Sequence, residues 1–99
     1  MNKSYYTDYA RHCLRFYTRY KNPKFKRKSD ENNWNAADKV YQKLSDEDKN
    51  TVDFVYGQKD TIADNVFALA NERGCEQNAI WNAIAQIEEK VGYERGLLG

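Results

Sequence analysis

A run of basic side chains early in this 99-residue sequence has the chemistry to bind phosphate. The candidate phosphate-binding residues are Arg11, Arg15, Arg19, Lys24, Lys26, Arg27 and Lys28. The three arginines recur at every fourth position, which places them on one face of a helix. Each arginine offers a planar fork of donors, so such a row can follow a nucleic-acid backbone. The same row can equally be a solvated face.

A second group of side chains is mostly amides, which can form hydrogen bonds with nucleic-acid bases. It opens the last helical pattern of the chain and consists of Gln77, Asn78, Trp81 and Asn82. Asn and Gln make paired hydrogen bonds to adenine, and a helix start offers free backbone N–H groups to a phosphate.

Catalytic and metal-binding chemistry has no comparable pattern. The sequence contains no Gly-rich phosphate loop and no nucleophile elbow. His12 is the only histidine, and one His with one Cys cannot complete a tetrahedral metal site. Cys13 and Cys75 suit small buried hydrophobes better than a disulfide, because no secretion signal follows Met1. We therefore expect no enzyme, no cofactor and no bound metal.

Charge is strongly segregated along the chain. Residues 1–28 carry nine basic groups and one acidic group, whereas the remaining residues carry seven basic and fourteen acidic groups. This asymmetry indicates either a polyanionic partner for the basic end or an internal clasp between the two ends.

Two amphipathic helical patterns within residues 61–91 must position the base-reading side chains. The buried face of the second is predicted from Ile80, Ile84, Ile87 and Val91, which step by four, three and four. Thr61 is a predicted helix cap. Gly74, between the two patterns, suits the left-handed residue that ends a helix. Helix, glycine turn and helix form the outline of a helix-turn-helix, although the same outline suits an ordinary hairpin of core helices.

Three further helices are predicted upstream. The first runs from residues 2–4 to about Tyr20, and Pro23 disfavours its continuation. The second begins at Ser29 or Asp30. Ser45 caps the third, which Gly57 ends.

The fold class that follows is all-α: one domain over 1–99, a small bundle of four to five helices with a C-terminal helix-turn-helix. The basic aromatic part spans 1–28 and the acidic helical core spans 29–99. The predicted core contains Tyr9, Cys13, Trp34, Leu44, Val55, Leu69, Ile80, Ile84 and Ile87. After Tyr93 the last helix should stop at Gly96, with Leu97 and Leu98 either folded back or exposed. No apolar run approaches the length of about 20 residues that spans a bilayer, so we expect no membrane partner and a cytoplasmic protein.

The order of these motifs resembles sigma-factor region 4 and the small RinA-like and ArpU-like phage regulators. Residues 44–48 read LSDED, residues 52–56 read VDFVY, and the helix-turn-helix follows. The resemblance covers most of residues 34–98. It implies that residues 77–91 lie in the major groove, with Gln77, Asn78, Trp81 and Asn82 facing base edges. Arg73, before Gly74, departs from the pattern, which usually has an apolar residue there.

The function we expect is that of a DNA-binding transcriptional regulator of phage or bacterial type, with double-stranded DNA as its partner. The charge around the reading helix opposes this, because five carboxylates surround it: Glu72, Glu76, Glu88, Glu89 and Glu94. Duplex binding gains most of its affinity from phosphate neutralisation, so the basic groups would have to share a face with the start of the last helix. The alternative is a protein-binding helical module, for example a phage-encoded inhibitor of host machinery. Its partner would be a host protein such as RNA polymerase or another nucleic-acid machine, docked on the basic arm or the acidic half.

Overall fold

Helix is the only regular secondary structure in residues 3–21 and 24–98, the parts of the chain that this computed structural model describes. The five helices within those ranges are α1 (Lys3–Arg19), α2 (Lys28–Gln42), α3 (Asp46–Gly57), α4 (Ile62–Arg73) and α5 (Gln77–Glu94). The predicted all-α bundle is confirmed. None of these helices combines the length and the apolarity that crossing a bilayer requires.

The last helix, α5, is the centre of the bundle because it packs against each of the other four. Its buried side chains include the predicted Ile80, Ile84, Ile87 and Val91. A helix buries such an apolar stripe against its neighbours. Any side chain on the remaining face of α5 is therefore held by a rigid scaffold.

The predicted core is confirmed except at two aromatic residues, Tyr9 and Trp34, which are only half-buried. Each carries a polar atom that must find a partner. The Tyr9 hydroxyl donates to Asn33 at 3.0 Å. The Trp34 indole N–H donates to the carbonyl of Tyr20 at 2.7 Å. Both rings therefore lie at the edge of the core.

Two predicted helix caps are confirmed. The Ser45 side chain accepts the backbone N–H of Asp48 at 3.2 Å, and the Thr61 side chain accepts that of Asp64 at 3.1 Å. These bonds satisfy donors that the first turn of a helix leaves unpaired. They fix where α3 and α4 begin.

The predicted start of α2 at Ser29 or Asp30 is wrong, because the helix begins at Lys28 and its cap is Arg27, which makes no side-chain capping bond within the described chain. Asp30 pairs instead with Arg27 at 3.3 Å, and Glu31 pairs with Lys28 at 3.2 Å. Ion pairs three residues apart and two carboxylates near the positive end of the helix dipole support this first turn. Asn22 and Pro23, the predicted helix break before it, lie outside the described residues.

The turn between α4 and α5 has the predicted left-handed glycine. Gly74 adopts φ 67° and ψ 34°. Its N–H donates to Asn71 at 3.3 Å, and the N–H of Cys75 donates to Ala70 at 3.0 Å. This is the Schellman arrangement, which satisfies the last carbonyls of a helix. The backbone turn leaves the Cys75 side chain exposed, so its predicted burial is wrong.

The other cysteine, Cys13, is fully buried, as predicted. Burial in an apolar environment raises the pKa of its thiol to about 11. Both cysteines are free thiols.

A second left-handed glycine ends α5 and folds the tail back. Gly96 has φ 82°, and the N–H groups of Leu97 and Leu98 donate to the carbonyl of Gly92 at 2.8 and 3.2 Å. Gly92 lies so close to the Leu98 and Tyr6 side chains that a Cβ there would be 3.0 and 3.3 Å from their nearest atoms. Of the two predicted alternatives for the tail, the folded-back one is therefore observed.

Candidate nucleic-acid interface

The first arginine of the predicted phosphate row is engaged inside the bundle. Arg11 Nε donates to Glu88 Oε2 at 2.8 Å, and its guanidinium lies 5.8 Å from the centre of the Trp81 ring. The Tyr56 hydroxyl donates to the same oxygen of Glu88 at 2.6 Å. Side chains from three helices, α1, α3 and α5, thus meet at one carboxylate.

The carboxylate at the centre of this cluster, Glu88, is only 2% exposed. Burial raises its pKa above the ordinary value, although the hydrogen bonds from Tyr56 and Arg11 act in the opposite direction. Burial and the neighbouring carboxylate raise the pKa of Tyr56 as well. Glu88 therefore adds no negative charge to the outer face of α5. It is nevertheless one of the five carboxylates that, in the sequence, oppose DNA binding by α5.

The other two arginines of the row bind the connection between α3 and α4. Arg15 donates to the carbonyls of Gln58 and Asp60 at 3.4 and 3.0 Å, and Arg19 donates to that of Gln58 at 3.4 Å. Carbonyls at the end of a helix carry the negative end of its dipole, which favours a nearby cation. Within the described residues, Arg11 is therefore the only arginine of the row that pairs with a carboxylate, and the other two bind backbone carbonyls.

The basic loop at 24–28 lies against α1 and α2. The Phe25 ring centre is 6.4 Å from that of Phe16 and 6.1 Å from that of Trp34. Lys24 and Lys26 are exposed, whereas Arg27 and Lys28 are in the ion pairs that open α2. Within the described residues, no hydrogen bond, ion pair or ring contact joins this loop to α5.

The predicted base-reading residues divide into two groups. Gln77, Asn78 and Asn82 are exposed, and their side chains make no hydrogen bond to any residue in 3–21 or 24–98. Trp81 is half-buried, packs against the core and lies beneath Arg11. Three amides therefore face outward and the indole faces α1.

Gln86 and Lys90 are not among the site residues predicted from the sequence. Both are exposed. Gln86 extends Asn78 and Asn82 into a series with a constant step of four residues, which we call the amide row, and Lys90 lies one step beyond it. Side chains four positions apart lie on the same face of a helix, so this spacing was visible in the sequence.

Three lysines and an exposed tyrosine line a cleft between α2 and α5 that the sequence did not reveal. The cleft has a volume of about 290 Å³ and is lined by Lys39, Val40, Lys43, Leu44, Lys90, Tyr93 and Glu94. We call it the lysine cleft. The lysines come from two helices that are distant in sequence, so no local pattern marks them as a group.

Acidic side chains remain near the start of α5. Glu47 and Asp48 line a groove with Arg73 and Ala79. Arg73 donates to Asn50 Oδ1 at 2.8 Å, so this residue, which departs from the resembled motif, ties the end of α4 to α3. In the described part of the chain, no three side chains of His, Cys, Asp or Glu are placed to hold a metal ion.

Comparisons with known proteins leave the family open. No family model matches the chain, and no curated protein or solved structure matches it. The resemblance to sigma-factor region 4 stays a prediction from the motifs at 44–56 and 61–91.

Proposed function

We propose that the protein binds double-stranded DNA with the outer face of α5, as a small transcriptional regulator of phage or bacterial type. The observation that carries this proposal is the amide row. Asn78, Asn82 and Gln86 are exposed, and amide side chains are the groups that pair with adenine in the major groove. In this assignment Gln86 replaces Trp81 as a base-reading candidate, since Trp81 packs inward.

The dimensions of the amide row suit the groove. At a rise of about 1.5 Å per residue, Asn78 and Gln86 are about 12 Å apart along the helix axis. The major groove of B-form DNA is about 12 Å wide. The amides are about 6 Å apart along the axis and base pairs are about 3.4 Å apart, so three amides on one rigid helix can face every second base pair without any rearrangement of the bundle.

The first turn of α5 adds backbone donors. Its cap residue, Glu76, makes no side-chain capping bond to a described residue. The N–H of Ala79 donates to the carbonyl of Glu76 at 3.1 Å, which leaves the N–H groups of Gln77 and Asn78 available to a phosphate. The exposed carboxylates of Glu76 and Glu89 repel phosphates. We therefore expect weak attraction to random DNA and an affinity that depends strongly on the base contacts.

Fluorescence anisotropy with labelled duplex DNA tests the proposal. Binding sequences are first enriched from a random duplex pool at ~50 mM salt, where electrostatic association is favoured. Asn78→Ala and Asn82→Ala should each reduce discrimination between the enriched and scrambled duplexes by about 1–3 kcal/mol. Asn35→Ala, an exposed asparagine on α2, is the matched control. Failure of the wild-type protein to bind any duplex at this salt would exclude the function.

A second candidate function, docking on a host protein, is favoured by a groove with aromatic and acidic walls. It has a volume of about 270 Å³, and its walls include the rings of Tyr17, Trp34 and Tyr41 and the carboxylates of Asp38 and Asp53. Aromatic faces beside carboxylates suit a cationic side chain of a partner protein. A titration with an arginine-containing peptide should then shift the NMR signal of the Trp34 indole N–H. An unchanged signal at millimolar peptide would remove this candidate.

A further inference from the structure

The lysine cleft has the composition of an anion-binding site. Lys39 and Lys43 are one turn apart on α2, Lys90 faces them from α5, and all three are exposed. The floor is apolar, since Val40 and Leu44 are 5% and 9% exposed. An apolar floor lowers the local dielectric, so charges at the rim act more strongly on a bound anion than they would in open water.

None of the three lysines pairs with a carboxylate anywhere in 3–21 or 24–98; the ion pairs there are those of Arg11, Arg27 and Lys28. One carboxylate, Glu94, lines the cleft as well, so positive charge is in excess. Like charges that converge on one cleft repel each other unless an anion lies among them. The net positive charge of the cleft therefore favours binding of a negatively charged ligand.

We infer that the lysine cleft is a phosphate-binding site and that it holds the DNA backbone while the amide row lies in the major groove. This inference rests on the proposed function. Lys90 is the next step of the row after Gln86, and about 18 Å separate it from Asn78 along the axis. Lys90 is therefore one helical turn beyond the last amide, where α5 would leave the base edges and approach the phosphates that border the groove.

The direction of the amide row leads to the same strand. Rows of side chains four apart are inclined by about 26° to the helix axis, so the row drifts around α5 as it proceeds. It arrives at the side of α5 that packs on α2, where Lys39 and Lys43 lie. Three lysine side chains thus lie where the DNA backbone would pass the C-terminal end of α5.

Tyr93 completes the cleft. Its side chain is 58% exposed, and its hydroxyl makes no hydrogen bond to any described residue. Tyrosine hydroxyls commonly donate to phosphate oxygens in protein–DNA complexes and thereby fix the register of the protein on the duplex. Tyr93 is therefore assigned a positioning contact and not a base contact.

This assignment moves the phosphate contacts away from the arginine row. Arg11, Arg15 and Arg19 are occupied by Glu88 and by the carbonyls of the α3–α4 connection. Releasing them to DNA would cost those internal contacts. The three cleft lysines can neutralise phosphates without such a loss.

The test compares two sets of lysine variants in the full chain. The cleft variant is Lys39→Gln, Lys43→Gln and Lys90→Gln together, and the control variant is Lys24→Gln with Lys26→Gln in the exposed loop. Duplex affinity is measured by anisotropy over a range of salt concentrations. The cleft variant should bind all sequences more weakly, with its log–log salt slope reduced by about 0.9 for each lost phosphate contact. The control should keep the wild-type slope, and unfolding midpoints verify that both variants fold.

A second measurement separates the failure of this inference from the failure of the proposed function. Inorganic phosphate, titrated into isotope-labelled wild-type protein at low salt, should shift the NMR signals of Lys39, Lys43, Lys90 and Tyr93. Those shifts support the phosphate site even if duplex binding fails and removes the proposed function. Duplex binding with an unchanged slope in the cleft variant would overturn the inference and leave the function standing. Phosphate shifts confined to residues 24–28 would overturn it as well.

Discussion

Glu88 is a buried carboxylate that accepts hydrogen bonds from Tyr56 and Arg11, which lie on two other helices. Removing one member of a buried pair leaves the other charge without compensation and costs about 3–5 kcal/mol. Arg11 is 30% exposed, so water can recover part of its solvation after such a change. We therefore expect Glu88→Ala to cost the lower end of that range, about 3 kcal/mol.

The pKa of Glu88 gives the stability of the protein a pH dependence. Burial raises this pKa above its ordinary value of 4.5, so the folded protein holds the proton more tightly than the unfolded chain. The contribution of Glu88 is then complete below pH 4.5 and is lost as pH rises through the higher folded value. Relative to the non-ionising Glu88→Gln variant, the wild-type protein should lose free energy of unfolding as pH rises through that window.

Urea unfolding of both proteins at a series of pH values measures this difference. Glu72→Gln, a change at an exposed carboxylate that makes no ion pair within the described residues, controls for the loss of a negative charge as such. A wild-type protein that gains stability relative to Glu88→Gln as pH rises would contradict the assigned direction.

Glu89 differs from its buried neighbour because it is exposed on the outer face of α5. In the proposed complex it would face phosphates. Glu89→Gln should therefore strengthen duplex binding by about 0.2–1 kcal/mol, the range measured for exposed charge pairs, and the gain should shrink as salt rises. Anisotropy at two salt concentrations measures it, and an affinity equal to or weaker than wild type would argue against α5 as the DNA-binding face.

At the scale of secondary-structure elements, the turn between α4 and α5 depends on one backbone conformation. Gly74 has φ 67°, which costs a residue with a Cβ about 1 kcal/mol. Gly74→Ala should lower the free energy of unfolding by that amount, even though no atom lies within 4 Å of the added methyl group.

Gly57, the last residue of α3, is the matched control for this substitution. Its φ is not positive, and a Cβ there would be 3.7 Å from Thr18 Cβ, an ordinary contact. Gly57→Ala should therefore leave stability unchanged or raise it slightly, since alanine favours helix over glycine. Equal destabilisation by both changes in urea unfolding would refute the role of the left-handed turn.

The attachment of α1 to the α3–α4 connection gives another prediction at this scale. Arg15→Ala with Arg19→Ala removes the bonds to Gln58 and Asp60. These bonds are exposed, and two of the three are long, so the expected loss of stability is about 0.5–1 kcal/mol in total. The salt slope of duplex binding should not change. A reduced salt slope with unchanged stability would indicate that the arginine row contacts phosphates.

At the scale of the whole molecule, the features that could be predicted from the sequence are those that depend on residues close together along the chain. Ser45 and Thr61 cap helices through donors three residues away, and the spacing of Ile80, Ile84 and Ile87 reports one buried face. Such features are determined within one or two helical turns.

Features that join distant elements could not be predicted in this way. The polar residue Asn33 is buried because Tyr9 and Arg95, which lie 24 and 62 positions away, both donate to its side-chain oxygen. Trp81 was visible as an aromatic residue at the start of a helix, but its contact with Arg11 depends on how α1 crosses α5. The lysine cleft likewise exists only because α2 packs beside α5.

The central position of α5 has a consequence for how the chain acquires its structure during synthesis. Helices α1 to α4 leave the ribosome before α5, yet each of them packs on it. The ion pair of Arg11 cannot form until Glu88, 77 positions later in the chain, has been synthesised. Contacts so distant in sequence slow folding, because a long loop must close before they form. Nascent chains that stop short of α5 should remain sensitive to protease, and protection should appear in one step when α5 emerges.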